Sequence, residues 1–254
     1  MTIGTTIFHE DVRAYFRREG YAILPDVLSA EQLTALRSEL DRHISEIDDE
    51  MDELGTDVAG LSHRGSRYFV ANRMTVNPVL RDFVLGDTMA EVCRTFLGDD
   101  CWFFLEQFVV KFAEVGMTFS WHQDSGYLKQ TIPDHQRPYL TCWIALDDMS
   151  EANGTISVLP FSRGLYDGIT EHVRDDASND LVGYSGDDPG DPVLIPAGWM
   201  AVFATTLLHR SSANTTDKAR RSYIVQYSGE PLMRPDGAAA IHAIPFLVDG
   251  QRVT

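Results

Sequence analysis

The sequence has few of the features that mark secreted or nucleic-acid-binding proteins. It contains only three cysteines, Cys93, Cys101 and Cys142, in 254 residues, and they stand in apolar surroundings. We therefore expect reduced core thiols rather than a disulfide framework. Basic side chains are also scarce, 21 against 38 acidic ones, and no stripe of lysine and arginine is present to neutralise a phosphate backbone. Nucleic acid is not expected as a partner.

A long apolar run is lacking as well. The uncharged segment Pro192–Leu208 is interrupted by Pro196 and Gly198, and it is shorter than the roughly 20 apolar residues that a membrane-spanning helix needs. The first ten residues do not resemble a secretory signal. These absences predict a cytoplasmic protein without a membrane span.

The spacing of apolar residues predicts helices in the first part of the chain. One apolar stripe ends at Gly20, which has the position of a C-terminal cap, and a short strand, Tyr21–Leu24, follows. Ser29 and Gln32 form a capping-box pattern at the start of an amphipathic helix. A second apolar helix is predicted over Val79–Phe96.

From Cys101 onward the hydrophobic period changes to two, which indicates strands. Asn153-Gly154 is typical of a two-residue hairpin turn with positive φ at both residues. Short strands at this density predict a mainly β protein with flanking helices, built as an antiparallel sandwich or jelly roll. The predicted strands are Phe103–Phe112, Leu140–Leu146, Thr155–Leu159, Pro192–Ile195, Met200–Thr206 and Ser222–Tyr227.

Two acidic segments carry most of the net charge of -17. Glu46–Asp57 holds seven acids and no base, and Leu165–Asp191 holds eight acids and one base, Arg174. The first is most simply a solvated loop or helix face, and the second is a long loop of the kind that forms lids or binding loops. Our hypothesis is that both are mobile lids near the mouth of a barrel; the alternative is that they confer only solubility.

His122 and Asp124 are the first candidates for chemistry. They stand two apart on an extended segment, so their side chains point to the same side and can share a metal ion. A second such pair, His9 and Asp11, opens a helix and is assigned to helix initiation. His209 follows a strong apolar strand and is the expected third ligand. The other histidines, which stand in loops or on the early helix, are expected at the surface: His43, His63, His135, His172 and His242.

Ser211 and Arg220 follow His209 and suggest a carboxylate site, because a guanidinium can hold a carboxylate in bidentate fashion and a hydroxyl can add a bond. Two histidines and one carboxylate match the facial triad of non-haem Fe(II) oxygenases. Three protein ligands on six-coordinate iron leave two positions for a chelating 2-oxo acid and one for dioxygen.

These motifs together resemble the phytanoyl-CoA dioxygenase family of Fe(II)/2-oxoglutarate-dependent oxygenases. The resemblance covers roughly residues 10–230. It rests on residues 121–124 (WHQD), 140–148 (LTCWIALDD), Asn153-Gly154 with Leu159-Pro160 and Ser162, and His209-x-Ser211-x-x-Asn214 with Arg220.

The resemblance implies a double-stranded β-helix, that is, a jelly-roll, cupin-like barrel with an N-terminal helical layer. A single domain over residues 1–254 is expected. It comprises a helical flank (1–98), a jelly-roll core (99–230) that carries the acidic insert (165–191), and a C-terminal extension (231–254).

The resemblance also implies a set of site residues. His122, Asp124 and His209 are the expected Fe(II) ligands. Arg220 is the expected partner of the distal carboxylate of 2-oxoglutarate. It is chosen over Arg221 because it stands eleven residues after His209, which is the family's spacing, and only one of the two can serve because neighbouring strand residues face opposite ways. Further residues expected to bind the cosubstrate are Ser211, Thr141, Gln107 and Lys111, with an ordinary strand role as the alternative for the last three.

Two positions depart from the family pattern. Arg210 replaces a glycine and lies either near the pocket or in solvent, and Arg163-Gly164 replaces serine-histidine. Neither position is a metal ligand. The presence of Asp124 disfavours halogenation, in which halide occupies the place of that carboxylate.

The expected reaction consumes 2-oxoglutarate and O2, releases succinate and CO2, and oxidises an unactivated C–H bond of a small metabolite, such as a natural-product scaffold. Hydroxylation is expected first, with desaturation, epoxidation and ring closure as alternatives. A cupin-like isomerase or hydrolase without 2-oxoglutarate and a non-catalytic binding protein are competing hypotheses. A monomer or homodimer is expected. Candidate substrate-facing residues, for which core packing is the alternative, are Arg67, Tyr68, Phe69, Phe119, Gln123, Tyr127 and Trp199.

Overall fold

A computed structural model describes residues 10–113, 118–164, 168–176 and 180–253. The helices are α1 (Glu10–Glu19), α2 (Ala30–Leu54), α3 (Pro78–Val84), α4 (Asp87–Phe96) and α5 (Asp124–Leu128). The strands are β1 (Tyr21–Leu24), β2 (Val58–Ala59), β3 (Ser62–His63), β4 (Arg67–Ala71), β5 (Cys101–Lys111), β6 (Phe119–His122), β7 (Leu140–Ala145), β8 (Ile156–Leu159), β9 (Val173–Arg174), β10 (Leu181–Val182), β11 (Asp191–Pro192), β12 (Met200–Ala204), β13 (Leu208–Ser211), β14 (Arg220–Ser228), β15 (Ile244–Val248) and β16 (Gln251–Arg252).

Eight of these strands form two facing antiparallel sheets. The main sheet has the order β12-β7-β14-β5, and the minor sheet has the order β11-β8-β13-β6. The chain passes repeatedly from one sheet to the other between β5 and β14, which is the winding of a double-stranded β-helix. The predicted mainly β jelly-roll fold is therefore confirmed.

The main sheet has an apolar outer face and a more polar inner face, because successive side chains of a strand point to opposite sides. On β14, the buried outward residues Tyr223, Val225 and Tyr227 belong to the largest hydrophobic cluster, together with residues of α2, α3 and α4. The inward residues of the same strand include Arg220 and Gln226. The helices thus stabilise the sheet from outside and leave its inner face available for a site.

A smaller apolar cluster fills part of the space between the two sheets. It includes Trp143 and Phe203 from the main sheet and Val158 from the minor sheet. The three cysteines are buried and free, as the sequence predicts.

The helical flank differs from the prediction in two places. Val79–Phe96 is not one helix, since α3 ends at Val84 and α4 begins at Asp87. A Cβ atom on Gly86 would lie 2.5 Å from the carbonyl oxygen of Asp82, so the junction between the two helices requires glycine. The flank also contains β2, β3 and β4, which extend the main sheet beyond β5.

The turn at Asn153-Gly154 is also not the predicted two-residue hairpin. Gly154 has a φ of +72°, but Asn153 does not have positive φ. The segment connects β7 of the main sheet to β8 of the minor sheet rather than two paired strands. A Cβ atom on Gly154 would lie 2.3 Å from the Ser212 carbonyl oxygen, so close backbone approach explains the glycine.

The first acidic segment is part of a regular helix. α2 continues through Leu54 and ends at Gly55, which has a φ of +63°. Ile47 and Met51 of the same segment are buried, and Asp48 accepts a hydrogen bond from the Tyr68 hydroxyl at 2.5 Å. The hypothesis of a mobile lid is wrong for this segment, because α2 packs on the outer face of the main sheet.

Two further details concern the edges of the barrel. β11 is shorter than the predicted Pro192–Ile195 strand, although Val193 and Ile195 are buried. Part of the C-terminal extension pairs with the barrel, since β15 lies antiparallel to β5.

None of the described helices is long and apolar enough to cross a membrane.

The capping box at the start of α2 gives a test of the sequence-derived helix signal. The Gln32 amide donates to Ser29 Oγ at 3.2 Å, and the Ser29 amide donates to Gln32 Oε1 at 2.9 Å. We expect Ser29→Ala to lower the free energy of unfolding by about 1 kcal/mol, measured by urea denaturation. Thr34→Ala, which removes only an exposed bond to the Ala30 carbonyl, is the control. An unchanged midpoint in Ser29→Ala would contradict the role of this cap.

Candidate metal centre

The two histidines of the candidate triad lie opposite each other on paired strands. His122 ends β6, and His209 is its register partner on β13. Asp124 is the first residue of α5. One ligand atom from each of the three residues lies within 4.8 Å of the other two. In detail, Asp124 Oδ1 is 3.8 Å from His122 Nε2 and 3.6 Å from His209 Nε2.

Backbone carbonyl groups fix the orientation of both imidazoles. His122 Nδ1 lies 2.7 Å from the Ser120 carbonyl oxygen, and His209 Nδ1 lies 3.1 Å from that of Leu207. Each Nδ1–H therefore donates to the backbone, and each Nε2 presents its lone pair to the centre. Burial and the neighbouring His209 lower the pKa of His122 to about 4. His122 is thus neutral near pH 7, which is the form that binds a metal.

Two side chains orient the carboxylate of Asp124. Thr141 Oγ1 donates to Asp124 Oδ2 at 2.6 Å, and Gln226 Nε2 donates to the same oxygen at 3.0 Å. The other oxygen, Oδ1, faces the two histidines. The structure therefore shows Thr141 hydrogen-bonded to the carboxylate of the candidate ligand Asp124. Gln226 was missed in the sequence, although it shares the inward face of β14 with Arg220.

A buried arginine and a buried lysine lie on the same inner face. Arg220 and Lys111 are register partners on β14 and β5, and each is 2% exposed. Lys111 Nζ donates to Ser211 Oγ at 2.6 Å and to the Ser212 carbonyl oxygen at 2.7 Å. Because Ser211 stands two residues from His209 on β13, this ammonium group lies next to the candidate metal centre.

The guanidinium of Arg220 is only partly satisfied. It donates to Ser222 Oγ and to the Gly154 carbonyl oxygen, both at 2.9 Å, while its buried Nε has no partner among the described residues. Burial lowers the pKa of Arg220 to about 10, and burial with the nearby Arg220 charge lowers the pKa of Lys111 to about 6. A desolvated guanidinium without a carboxylate partner in the described structure is costly alone, and an anion bound here would also favour protonation of Lys111, so this pocket suits an anion.

Arg221 faces the other way. Its guanidinium donates to both oxygens of Asp147, at 2.7 Å and 3.0 Å, and its backbone amide donates to the same carboxylate at 2.9 Å. The structure therefore directs Arg220 into the barrel and Arg221 to the outer face.

Several of the predicted substrate-facing residues line the space beside these groups. Arg67 and Phe69 of β4 share the face of Lys111, and the rings of Phe69 and Phe119 meet edge to face at 5.7 Å. Lys111 Nζ lies 4.6 Å from the centre of the Phe119 ring. Gln107 lies on the same face, and its amide makes no hydrogen bond within the described residues.

Tyr127 lies directly beside a candidate ligand. Its ring contacts that of His122 edge to face, with 5.4 Å between ring centres, and the side chain is 40% exposed. The Tyr127 hydroxyl accepts a hydrogen bond from the Leu181 amide at 3.2 Å. Tyr127 thus forms part of the rim of the centre.

Three predicted substrate residues do not lie at the metal centre. Tyr68 is buried on the outer face of the main sheet. Trp199 donates from its indole nitrogen to Asp26 at 3.2 Å, before the start of β12. Gln123 is fully buried and points away from the centre, because the residues on either side of it point inward. We correct the predicted substrate role for these three residues.

Three histidines also differ from the predicted surface location. His43 and His135 are 2% and 7% exposed, and His43 Nδ1 bonds Glu46 at 2.7 Å. His172, in the acidic insert, accepts a hydrogen bond from the Gln123 amide at 3.0 Å. His9, which was predicted to initiate a helix, lies outside the described residues. Asp11 lies in the first turn of α1.

The two arginines that depart from the family pattern both contact the insert. Arg210 donates to the Pro189 carbonyl oxygen at 3.1 Å and lies 4.9 Å from the centre of the Trp121 ring. It therefore faces away from the pocket. Arg163 forms ion pairs with Asp188 and Asp191.

Sequence comparisons connect this geometry to known proteins. The phytanoyl-CoA dioxygenase (PhyH) family matches residues 16–222. Ectoine dioxygenase from Bordetella parapertussis is 24% identical over 235 residues, which are 86% of this chain and 74% of that protein. Phytanoyl-CoA dioxygenase domain-containing protein 1 homolog from Caenorhabditis briggsae is 30% identical over 130 residues, which are 46% of this chain and 43% of that protein.

Solved structures share the fold. EctD from S. alaskensis, solved with 2-oxoglutarate and 5-hydroxyectoine, superimposes with a TM-score of 0.70 at 22% identity and covers 98% of this chain and 89% of its own. The non-heme alpha ketoglutarate dependent carbocyclase SnoK from nogalamycin biosynthesis gives a TM-score of 0.67 at 22% identity, covering 88% and 85%. At this identity the likeness establishes the fold.

The contact between Thr141 and Asp124 gives a test of the metal centre. We expect Thr141→Val to weaken the binding of a divalent metal by about 10- to 100-fold, because loss of the hydrogen bond frees the ligand carboxylate. Metal titration under anaerobic conditions measures this. Thr155→Val is the matched control, since it removes a buried 2.6 Å bond to the Val193 carbonyl oxygen away from the ligands. Equal affinities in the two variants would argue against Asp124 as a ligand.

Proposed function

The chain belongs to the phytanoyl-CoA dioxygenase family, and on this premise we propose that it is an Fe(II)/2-oxoglutarate-dependent oxygenase that oxidises a small molecule. The observation that carries the proposal is the proximity of two sites. His122, Asp124 and His209 converge on one point, and the buried cations Arg220 and Lys111 lie on the same inner face of the barrel. A 2-oxo dicarboxylate, which chelates a metal at one end and carries a carboxylate at the other, fits both sites.

In this proposal, His122, Asp124 and His209 hold Fe(II). Arg220 and Lys111 bind the distal carboxylate of 2-oxoglutarate, and Ser211 Oγ, which contacts Lys111 Nζ, adds a hydrogen-bonding group. Iron and 2-oxoglutarate, when bound, supply the oxidising chemistry that consumes O2 and releases succinate and CO2. The chain supplies ligands, orientation and exclusion of water.

Several features favour an oxygenase that binds 2-oxoglutarate over a cupin-like isomerase or hydrolase that does not. Such an enzyme has no need for two buried cations beside the metal. The unsatisfied Nε of Arg220 and the lowering of the Lys111 pKa by burial and by the Arg220 charge both favour a bound anion, which would compensate the guanidinium and favour protonation of Lys111. Thr141, in contrast, donates to Asp124, and in this proposal it orients a metal ligand rather than the cosubstrate.

The substrate-binding side is formed by the wall that contains Arg67, Phe69, Gln107 and Phe119, with Tyr127 at the rim. This wall combines apolar rings with a free amide and a guanidinium, which suits a small polar metabolite. We propose C–H hydroxylation as its reaction. Ectoine dioxygenase, which is similar in sequence, and the SnoK carbocyclase, which is similar in fold, are named for different reactions, so the barrel itself does not select one outcome.

The two adjacent arginines provide the test of this function. Charge-assisted hydrogen bonds to a buried group contribute about 1.5–3 kcal/mol, so we expect Arg220→Ala to weaken 2-oxoglutarate binding by roughly 10- to 150-fold. Arg221→Ala, which breaks the outer ion pairs with Asp147 and Asp41, is the matched control and leaves that affinity within about threefold.

The readout is the visible charge-transfer band that Fe(II) and 2-oxoglutarate give under anaerobic conditions, followed by succinate release in air. His122→Ala is expected to lose the band. A wild-type protein without band and without succinate release would overturn the oxygenase function. A larger effect of Arg221→Ala than of Arg220→Ala would overturn the assignment of the clamp.

Lys111 predicts a pH dependence of cosubstrate binding. Its pKa is lowered to about 6 in the unliganded protein, and a carboxylate bound beside it raises that pKa. Between the two values, binding takes up a proton, so affinity falls as pH rises above about 6, by up to tenfold per pH unit. Calorimetry in buffers of different ionisation enthalpy measures the proton uptake. Lys111→Met is expected to bind 2-oxoglutarate more weakly and to lose the pH dependence of this affinity. An unchanged pH dependence in the variant would exclude Lys111 as its source.

A further inference from the structure

The described part of the acidic insert, residues 168–176 and 180–191, is attached to the segment that holds two of the candidate ligands. The Gly183 amide donates to the Trp121 carbonyl oxygen at 2.8 Å, and the Ser120 amide donates to Asp180 at 2.9 Å. The Tyr127 hydroxyl binds the Leu181 amide. These contacts lie on β6 and α5, on either side of Gln123, the single residue that separates His122 from Asp124.

Gln123 is the centre of this attachment. Its side chain is 0% exposed, and both the oxygen and the nitrogen of the side-chain amide form hydrogen bonds. Oε1 accepts from the Thr170 amide at 2.8 Å and from the Thr170 hydroxyl at 3.3 Å, and Nε2 donates to the Gly168 carbonyl oxygen at 2.8 Å. Nε2 also donates to the Thr206 carbonyl oxygen. The backbone amide of Gln123 donates to His172 Nε2.

The bond to Thr206 extends the connection to the third ligand. Thr206 directly precedes Leu207, whose carbonyl oxygen orients the His209 imidazole. Gln123 therefore holds together the strand that bears His122, the turn that leads to His209, and residues 168–172 of the insert. The residues on either side of Gln123 face the metal centre, whereas its own side chain faces the insert.

From these contacts we propose that Gln123 is a positioning residue that couples the order of the insert to the geometry of the metal ligands. The inference rests on the assignment of His122 and Asp124 as ligands. A metal fixes the inward side of residues 122–124, and the insert fixes the outward side of the same residues. By thermodynamic reciprocity, metal binding stabilises residues 168–176, and their contacts with Gln123 strengthen metal binding.

Glutamine is the side chain that meets this requirement. The site presents two carbonyl oxygens to Nε2 and one amide with one hydroxyl to Oε1, so it needs a donor and an acceptor on the same group. Glutamate keeps the acceptor but repels both carbonyl groups, and leucine supplies neither function. Each unsatisfied buried group that results is destabilising.

The far end of the insert offers a matched control. Arg163 forms ion pairs with Asp188 and Asp191, away from the peptide between the two ligands. Arg163→Ala is expected to loosen residues 188–191 without changing the contacts of Gln123. It therefore separates general loosening of the insert from the specific coupling.

The test is hydrogen exchange of residues 168–176 with and without Co(II) as the only added ligand. In the wild-type protein and in Arg163→Ala, we expect Co(II) to slow exchange in this segment. In Gln123→Leu, and to a smaller extent in Gln123→Glu, we expect this slowing to be lost and Co(II) affinity to fall by about tenfold or more. The visible spectrum of bound Co(II) reports whether the same three ligands still bind.

The outcomes distinguish failure of the coupling from failure of the site. If Co(II) binds the wild-type protein no more tightly than it binds His122→Ala, the ligand assignment is wrong, and the coupling falls with it. If binding requires His122 but the slowing is absent in the wild type, or equal in Gln123→Leu, only the coupling is overturned. Thermal unfolding of each variant checks that the barrel is retained.

Discussion

The antiparallel pairing of β6 with β13 is the contact on which the site depends. It places His122 directly opposite His209, while the start of α5 turns Asp124 toward the same point. Neither strand is long enough to be stable alone, so their position depends on the second sheet and the apolar cluster between the sheets. The carbonyl groups of Ser120 and Leu207 then orient the two rings. The geometry of the centre is thus a property of backbone pairing more than of individual side chains.

The main sheet supports this arrangement through the different character of its two faces. Its inner face holds Arg220, Lys111, Thr141 and Gln226, which are polar groups that require precise partners. Its outer face buries Tyr223, Val225 and Tyr227 against the helices. Burial of apolar surface contributes about 25 cal/mol per Å², and this outer layer offsets the cost of desolvating two cations inside. The helical flank is therefore a condition for the polar site rather than an addition to it.

The sequence predicts those features that depend on local spacing. Short fixed spacings predict two of them, namely the common direction of His122 and Asp124 and the capping box at Ser29. Alternation of apolar and polar residues predicts the two faces of β14. Features set by contacts between distant segments were not predictable. Gly86 and Gly154 are required by nearby backbone carbonyl groups, and Gln226 reaches Asp124 from another strand. Gln123 was misjudged for the same reason, since only the position of the insert shows which way its side chain points.

The uneven distribution of charge bears on how an anion binds. The acids of α2 and of the insert are concentrated at the surface, whereas Lys111 and Arg220 are buried. Exposed charges are screened over about 8 Å at physiological ionic strength, while buried cations act on a contacting carboxylate with little screening. The direct contacts therefore outweigh the surface repulsion. The negative charge of Asp180 favours the protonated form of Lys111, and the same carboxylate holds the insert to β6. The acidic excess is thus compatible with the buried Arg220 and Lys111, because Asp180 opposes, though it does not outweigh, the lowering of the Lys111 pKa by burial and by the Arg220 charge.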